Sequence, residues 1–466
     1  MWALRTILFV AVFSGGCVFA LINPIIGAVT YMMVYQVTPN ARWWGMPLAD
    51  MGFRFSFLAG LFTVIGLFVA PHRVPRPRSW ITLWECGLIL LTAIAALNTF
   101  VFGLGASSVS YALFDKLWKM MLFLMVLNCL AGSRRNLHII IWTLVIGSLY
   151  LGHDAYNAPR WEFAHGRIQD VGGPDFRTTS GLGAHMGAMI PLIGVAFLAA
   201  KQWPLKVLAA VSAAFTVNAI ILCRTRSAFV GLAVGALAAV LMAPKAKRYR
   251  IHLMLVIGAL LAFSLTDVHF WNRMATMSSK ESLETDIATV HRVDIWRASG
   301  RILADYPQGI GMGNFPSIIG SYDWRHPRRG SHNTLIVAFV ELGFQGGMLF
   351  LVMTCGTFYV LWRSARLADL TPHPMETKLL IYGALVSFVT YFVAGMGTER
   401  LYCESFWWVM AIPHWIHRVV TTEIDERVPA LARTRPEPLD DADALLGQGY
   451  HGHPTPPDHP PRPSFS

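Results

Sequence analysis

The sequence predicts an all-α polytopic membrane protein with about twelve transmembrane helices and one large, partly helical loop outside the membrane. Three observations carry this. Hydrophobic residues make up 54% of the 466 and charged residues only 14%, with a mean hydropathy of +0.47. Soluble domains hold roughly 25% charged residues. Apolar runs long enough, or nearly long enough, to cross about 30 Å of hydrocarbon recur along the chain. These runs are continuous rather than alternating, which selects helices over a closed barrel, the other structure that satisfies every backbone group in lipid.

In chain order the runs lie at about 7–37 (one kinked span or two short ones), 55–70, 82–104, 117–131, 137–153, 181–200, 207–223, 227–243, 251–266, 344–362, 379–396 and 403–418. Arg5 precedes the first, and the apolar stretch continues past Cys17 to Leu21, so an uncleaved first span is expected rather than a signal peptide. Short connectors carry Arg73, Arg76 and Arg78; Arg134 and Arg135; Lys201 and Lys206; Lys245, Lys247, Arg248 and Arg250; and Arg363, Arg366 and Lys378. With this span order all of them fall on one side, which the positive-inside rule makes cytoplasmic. The 154–180 loop, the Cys223–Arg226 turn, the Asp267–His332 loop and the Met396–Tyr402 connector then share the outer face. Topology thus accounts for much of the formal charge of +11. Membrane lipids are expected partners and nucleic acid is not.

Residues 1–420 read as one integral membrane domain, with the 267–332 loop inside it. From Thr421 the composition changes: nine prolines, with Pro456-Pro457 and Pro460-Pro461, predict a disordered cytoplasmic tail over 421–466. Six cysteines, mostly inside apolar runs and without metal-ligand spacing, read as small buried hydrophobes.

The 66-residue loop holds eight Lys/Arg and seven Asp/Glu, so it is nearly neutral and is no polybasic lipid hook. Ser278 and Glu281 fit a capping box, and Leu283, Ile287 and Val290 recur at helical spacing. Together they predict a helix from about Lys280 to Ala304 that carries Arg292, Arg297 and Arg301. The glycines of Gly309 to Phe315 lack the Lys-Ser/Thr and the strand–helix setting of a phosphate loop, so they read as a tight turn open to close backbone approach. Tyr322 and Trp324 suit a sugar ring and a membrane interface equally well.

Candidate chemistry concentrates on this outer face. Arg224 and Arg226 sit in its tightest turn. Guanidinium groups fork onto phosphate oxygens, so a pyrophosphate is a natural ligand there, with lipid headgroups as the alternative. His332 closes the long loop immediately before the apolar stretch from Thr334. Its ordinary pKa of about 6.5 leaves it neutral near pH 7, as a general base requires, although a histidine here could equally cap the next helix. Glu341, nine residues on, points to the opposite face of a straight helix. The outer segments hold no acidic metal-ligand motif such as Asp-x-Asp.

The run His332-Asn333, nine residues, Gly343, two residues, Gly346 resembles the signature of bacterial O-antigen ligases. Arg226 followed after three residues by Val230 is similar to that family's Arg-x-x-x-Leu element, with Val for Leu. Arg292 to Trp296 and the Gly309–Phe315 turn look like its loop region. Asn23-Pro24 through Gly45 resembles the front of the O-glycosylation ligases in the same superfamily. The resemblance covers most of residues 1–420 and is strongest between 220 and 350. It implies a GT-C-like glycosyltransferase of the bacterial inner membrane. The implied donor is a glycan on undecaprenyl pyrophosphate, and the acceptor a hydroxyl of lipid A core, protein or another glycan. Transfer would be inverting and metal-independent. His332 would be the base; Arg224, Arg226, Arg292 and Arg328 are the candidates to hold the pyrophosphate; Asn333, Gly343 and Gly346 would be structural parts of the motif. An O-antigen or exopolysaccharide polymerase shares the same donor and is the runner-up. In a deletion strain a polymerase leaves single lipid-linked repeats, a ligase long unligated chains. A lipid-linked sugar transporter is weaker, because it predicts mid-membrane ionisable residues and internal repeats, and no repeat is evident.

Overall fold

The computed structural model describes residues 2–75, 81–164, 166–266, 268, 270–271 and 287–434. The helices are α1 (Trp2–Ala20), α2 (Pro24–Val37), α3 (Met46–Asp50), α4 (Phe55–Val69), α5 (Leu83–Leu97), α6 (Ser108–Leu130), α7 (Arg134–Tyr156), α8 (Thr179–Ala199), α9 (Trp203–Cys223), α10 (Arg226–Met242), α11 (Arg248–Ser264), α12 (Ile287–Asp305), α13 (Phe315–Tyr322), α14 (Thr334–Leu367), α15 (Pro374–Gly395) and α16 (Glu404–Thr434). Among the described residues the only sheet is a hairpin of Phe163–Ala164 with Arg167–Ile168. The chain is an all-α, multi-pass membrane protein.

A helix occupies each predicted apolar run, but fewer than twelve meet the length and apolarity that a span needs. Seven do so among the described residues, and the α10–α11 pair, bent by 108°, would make an eighth if it is one span. The shortfall has local causes. The 7–37 run is two helices, broken where Pro24 starts α2 without an N–H to donate and Asn23 before it is held extended. α4, at 15 residues, is short. α6 is long enough but carries Asp115, Lys116 and Lys119. Lys119 pairs with Asp115 one turn away at 2.5 Å, and Lys116 pairs with Asp175.

α16 is enclosed on nearly every side: Phe406, Trp407, Trp408, Met410, Trp415 and Ile416 are all buried. A helix with buried side chains on every face belongs inside a bundle rather than at its rim, and His414, His417 and Arg418 keep this one from the apolarity of a span. Its Arg418 reaches Glu85 at 3.1 Å, at the capped start of α5. Residues 1–422 form one compact unit and 423–466 another. In the second unit the helix continues to Thr434, past residue 421, where composition alone predicts loss of order. Thr421 to Val428 contains neither Pro nor Gly, and Glu423 stands four residues before Arg427, a spacing that supports helix. The rest of the tail, Arg76, Arg78 and the predicted Ser278–Glu281 capping box lie outside the described residues.

The segment from α12 to the start of α14 builds a small core of its own. Ile295, Ala298 and Ile302 of α12, Phe315 and Ile319 of α13, Ile310 of the glycine turn and Val340 of α14 pack together. α14 therefore serves two environments. Up to Leu342 it packs on this outer core. From Phe344 onward it exposes Phe344, Met348, Val352 and Tyr359, as a lipid-facing span does. Gly343 divides the two halves, with φ 76° and ψ 178° inside the helix. That region of backbone space is essentially open to glycine alone.

Candidate functional site

Why Gly343 breaks the helix is visible in the turn that fills the gap. Gly309, Gly311 and Gly313 all have positive φ, between 72° and 101°. This conformation lets the 307–311 backbone run along the broken stretch: Ile310 N–H donates to Val340 O at 3.0 Å, Gly311 N–H to Glu341 O at 3.0 Å, and Phe344 N–H to Pro307 O at 2.8 Å. A side chain on Gly309 or Gly343 would strike the opposing backbone. Asn98 donates to Leu342 O from the π-helical end of α5, and Gln345 donates to Gln308 O at 2.7 Å. Glu341 is spent in the same joint, accepting from Phe315 N–H at 3.4 Å and from Tyr402 Oη at 2.7 Å. The glycine turn acts as a backbone splint and Gly343 as its counterpart.

Asn333 begins α14. Its Oδ1 accepts from Leu335 N–H at 2.9 Å and Ile336 N–H at 3.2 Å, so the helix cap is Asn333 and His332 is left outside it. His332 has φ 51°, in the left-handed region. Five non-glycine residues among those described have positive φ, and three of them, Arg224, Arg328 and His332, are residues that the sequence singles out. Such conformations persist only where neighbours hold them, and they gather at functional sites. Glu399 is one such neighbour: its Oε1 accepts from His332 N–H at 3.0 Å and from Ser331 Oγ at 3.1 Å. Gly330 has no room for a side chain against the same carboxylate. From α12, Trp296 Nε1 donates to Ser331 O at 3.0 Å.

The His332 side chain is exposed, yet the protein around it strips part of its hydration and pushes its pKa below the ordinary value. Glu399 works against that shift, while Arg292 and Arg329 add to it. The imidazole is therefore neutral at pH 7. Of the neighbouring pair Arg328 and Arg329, both exposed, it is Arg329 whose charge acts on the ring.

The remaining predicted arginines lie at different places. Arg226 opens α10, where Ser227 packs tightly on Gly397, two residues before Glu399. Arg224 caps α9 and its Nη1 donates to Gly166 O of the small hairpin at 2.9 Å. Gly346 lies one turn beyond the break, against Ile94 of α5.

Sequence reasoning missed Glu399 and the ionic layer beside it. Arg400 N–H donates to Thr334 Oγ1 at 3.0 Å, and its Nη1 to Asp175 O at 2.8 Å. The Asp175 carboxylate accepts from Tyr35 Oη at 2.7 Å and pairs with Lys116. Burial pushes the Asp175 carboxyl up, but Lys116, Tyr35 and Arg400 more than offset this and hold it below the usual range. The available signal was the Glu399-Arg400 pair in a connector between two apolar runs. Nothing in the sequence says which loop that connector meets.

Residues 208–351 match the model of the family described as O-Antigen ligase. The match runs from α9 through the Arg224–Arg226 turn and α12 to residue 351 within α14, and over that stretch the chain is similar to the O-antigen ligase family. No curated protein matches the chain.

Proposed function

We propose that this chain is a membrane glycosyltransferase of the O-antigen ligase superfamily, moving a glycan from undecaprenyl pyrophosphate to an acceptor hydroxyl at the periplasmic face of the bacterial inner membrane. The observation that carries the reading is His332: a neutral imidazole, exposed, held in a left-handed conformation by Glu399, with the charges of Arg292 and Arg329 acting on it. In the proposed step the imidazole takes the proton of the acceptor hydroxyl. The oxygen forms a bond to the anomeric carbon as the bond to the pyrophosphate oxygen breaks, with inversion. The leaving group carries away the electron pair as added negative charge. Arg292 and Arg329, with Arg226 at the adjoining turn, are placed to stabilise it, as preorganised cations do for developing charge. No step needs a metal. The test is transfer from a defined polyprenyl-pyrophosphate glycan by purified protein, wild type against His332→Ala and Arg226→Ala; normal turnover in both variants refutes the mechanism.

The arginines separate by their charge on His332. Arg292→Ala is expected to lower kcat/KM by about 10²-fold, the scale of losing one preorganised donor to developing charge. Arg328→Ala should stay near wild type. Equal losses in the two would show that the ring charges do not mark the pyrophosphate site.

The pH profile follows from the same charges. A base works when deprotonated, so activity falls as pH drops through its pKa. The His332 pKa lies below about 6.5, and Glu399 is the group that raises it. Glu399→Gln removes that opposition, so the acid limb of kcat/KM should move to lower pH. Arg329→Ala removes a charge that lowers it, so its limb should move to higher pH. Shifts in the same direction in both variants would exclude His332 as the group responsible for the limb.

A further inference from the structure

The outer segment contains a second constellation that the transfer reading does not use. The His326 ring is 3% exposed, and its Nε2 has no hydrogen-bond partner. That atom lies 3.8 Å from Asp323 Oδ2 and 3.9 Å from Asp294 Oδ2. These separations are too long for hydrogen bonds. One donor atom from each of the three residues lies within 4.8 Å of the others. A buried imidazole nitrogen aimed at two carboxylates without bonding either is the arrangement that a shared cation satisfies.

We propose that Asp294, Asp323 and His326 bind a divalent transition-metal ion of the zinc type. The donor set decides the class. One imidazole and two carboxylates, without thiolate, suit zinc and its neighbours, while calcium and magnesium favour all-oxygen shells. Zinc sits about 2.0–2.2 Å from such donors, so tetrahedral partners stand about 3.4 Å apart and the two His326–carboxylate separations close by roughly half an ångström on binding. Arg325 is the competing cation. Its Nη2 lies 3.1 Å from Asp294 Oδ2 and 3.2 Å from Asp323 Oδ2, and its Nε is 3.0 Å from Asp323 Oδ1. The Arg325 side chain is 52% exposed, so it can swing into solvent and yield the carboxylates to an ion.

If Arg325 were the permanent counter-ion, His326 would keep a buried nitrogen with no bond, an arrangement that native interiors rarely tolerate. The His291 ring, 4.2 Å from that of His326, flanks the site. The ion would have a mechanical role. Asp294 lies on α12 between Arg292 and Trp296, and Asp323 and His326 lie on the segment that leads to His332. Metal binding would fasten the helix carrying Arg292 to the chain carrying His332. It takes part in no bond-making step and does not depend on the glycosyltransferase reading.

The test uses full-length protein in detergent, stripped with chelator, dialysed against low-micromolar Zn²⁺ and analysed for metal by mass spectrometry. The tail histidines His451, His453 and His459 can take up zinc as well, so the measured quantity is the difference between wild type and His326→Gln. The expected result is about one more zinc per chain in wild type than in His326→Gln or Asp294→Asn, and at least tenfold tighter binding in Arg325→Ala. Wild type and Arg325→Ala each binding no more zinc than His326→Gln would overturn the proposal. Should the variants fail to fold, Co²⁺ titration of the wild-type chain cut after residue 434 replaces them. Visible d–d bands saturating at one equivalent support the site, and their absence refutes it.

Discussion

His332→Asn is expected to lower turnover by about 10²–10⁴-fold, the usual contribution of a positioned general base, with the thermal unfolding of the purified protein nearly unchanged. Asparagine is the better substitution because of the backbone. His332 sits at φ 51°, and Asn, Asp and His adopt that region several-fold more often than other non-glycine residues. His332→Ala removes the base too but adds strain, so a loss in Ala alone would report on the loop and not on the chemistry. The side chain of His332 is exposed and the cap of α14 belongs to Asn333, so little of the fold depends on the imidazole. Turnover of His332→Asn close to wild type would remove His332 from the reaction. The measurement is transfer kinetics alongside a melting curve of the same preparation.

Gly343→Ala should have the largest effect on stability of any single methyl added to α14. A side chain at φ 76° and ψ 178° costs about 1–3 kcal/mol in backbone strain. The new Cβ would also overlap the Gln308 carbonyl, and overpacking of this kind adds about 1–3 kcal/mol more. The splint between the glycine turn and α14 would have to open, carrying with it the outer core that holds Arg292 and the Ser331–Asn333 segment. The control is Gly356→Ala in the same helix, where nothing stands within 4 Å of the added methyl. There, helix propensity alone favours alanine by up to about 1 kcal/mol. Folded yield and melting temperature of the two variants decide the matter. Equal melting temperatures would mean that the break at Gly343 is not required.

The sequence also sets limits on how far a site can be read from it. The close approach of the glycine turn was signalled by residue type, because glycine makes that conformation cheap, whereas the sequence offered His332 as the cap and a straight helix where Asn333 caps α14 and Gly343 breaks it. Glu399 gave no such signal. A glutamate in a connector is ordinary, and its significance comes from meeting the His332 amide across 67 residues of chain. The same holds for Asp294, Asp323 and His326, which have no ligand spacing in sequence and converge only because α12 folds back on the segment before His332. The choice among arginines likewise depended on folding. Arg328 and Arg329 are indistinguishable as letters and both are exposed, yet of the two it is Arg329 whose charge acts on the imidazole.

By itself the sequence determined the solvent: a chain 54% hydrophobic and 14% charged must bury its backbone polarity in helices within a bilayer, and composition is enough to establish that. Pro24, Asn333 and Gly343 act through their own backbone chemistry, but that α14 is capped at Asn333 and broken at Gly343 was decided by the fold. Tertiary structure decided how the charges of α6 are paired and how α14 is divided between two environments. It also decided which charged groups surround His332. The physical reason is range. Backbone preferences act over a few residues and can be read along the chain, whereas the fields and hydrogen bonds that tune an imidazole act through space between segments that only packing brings together.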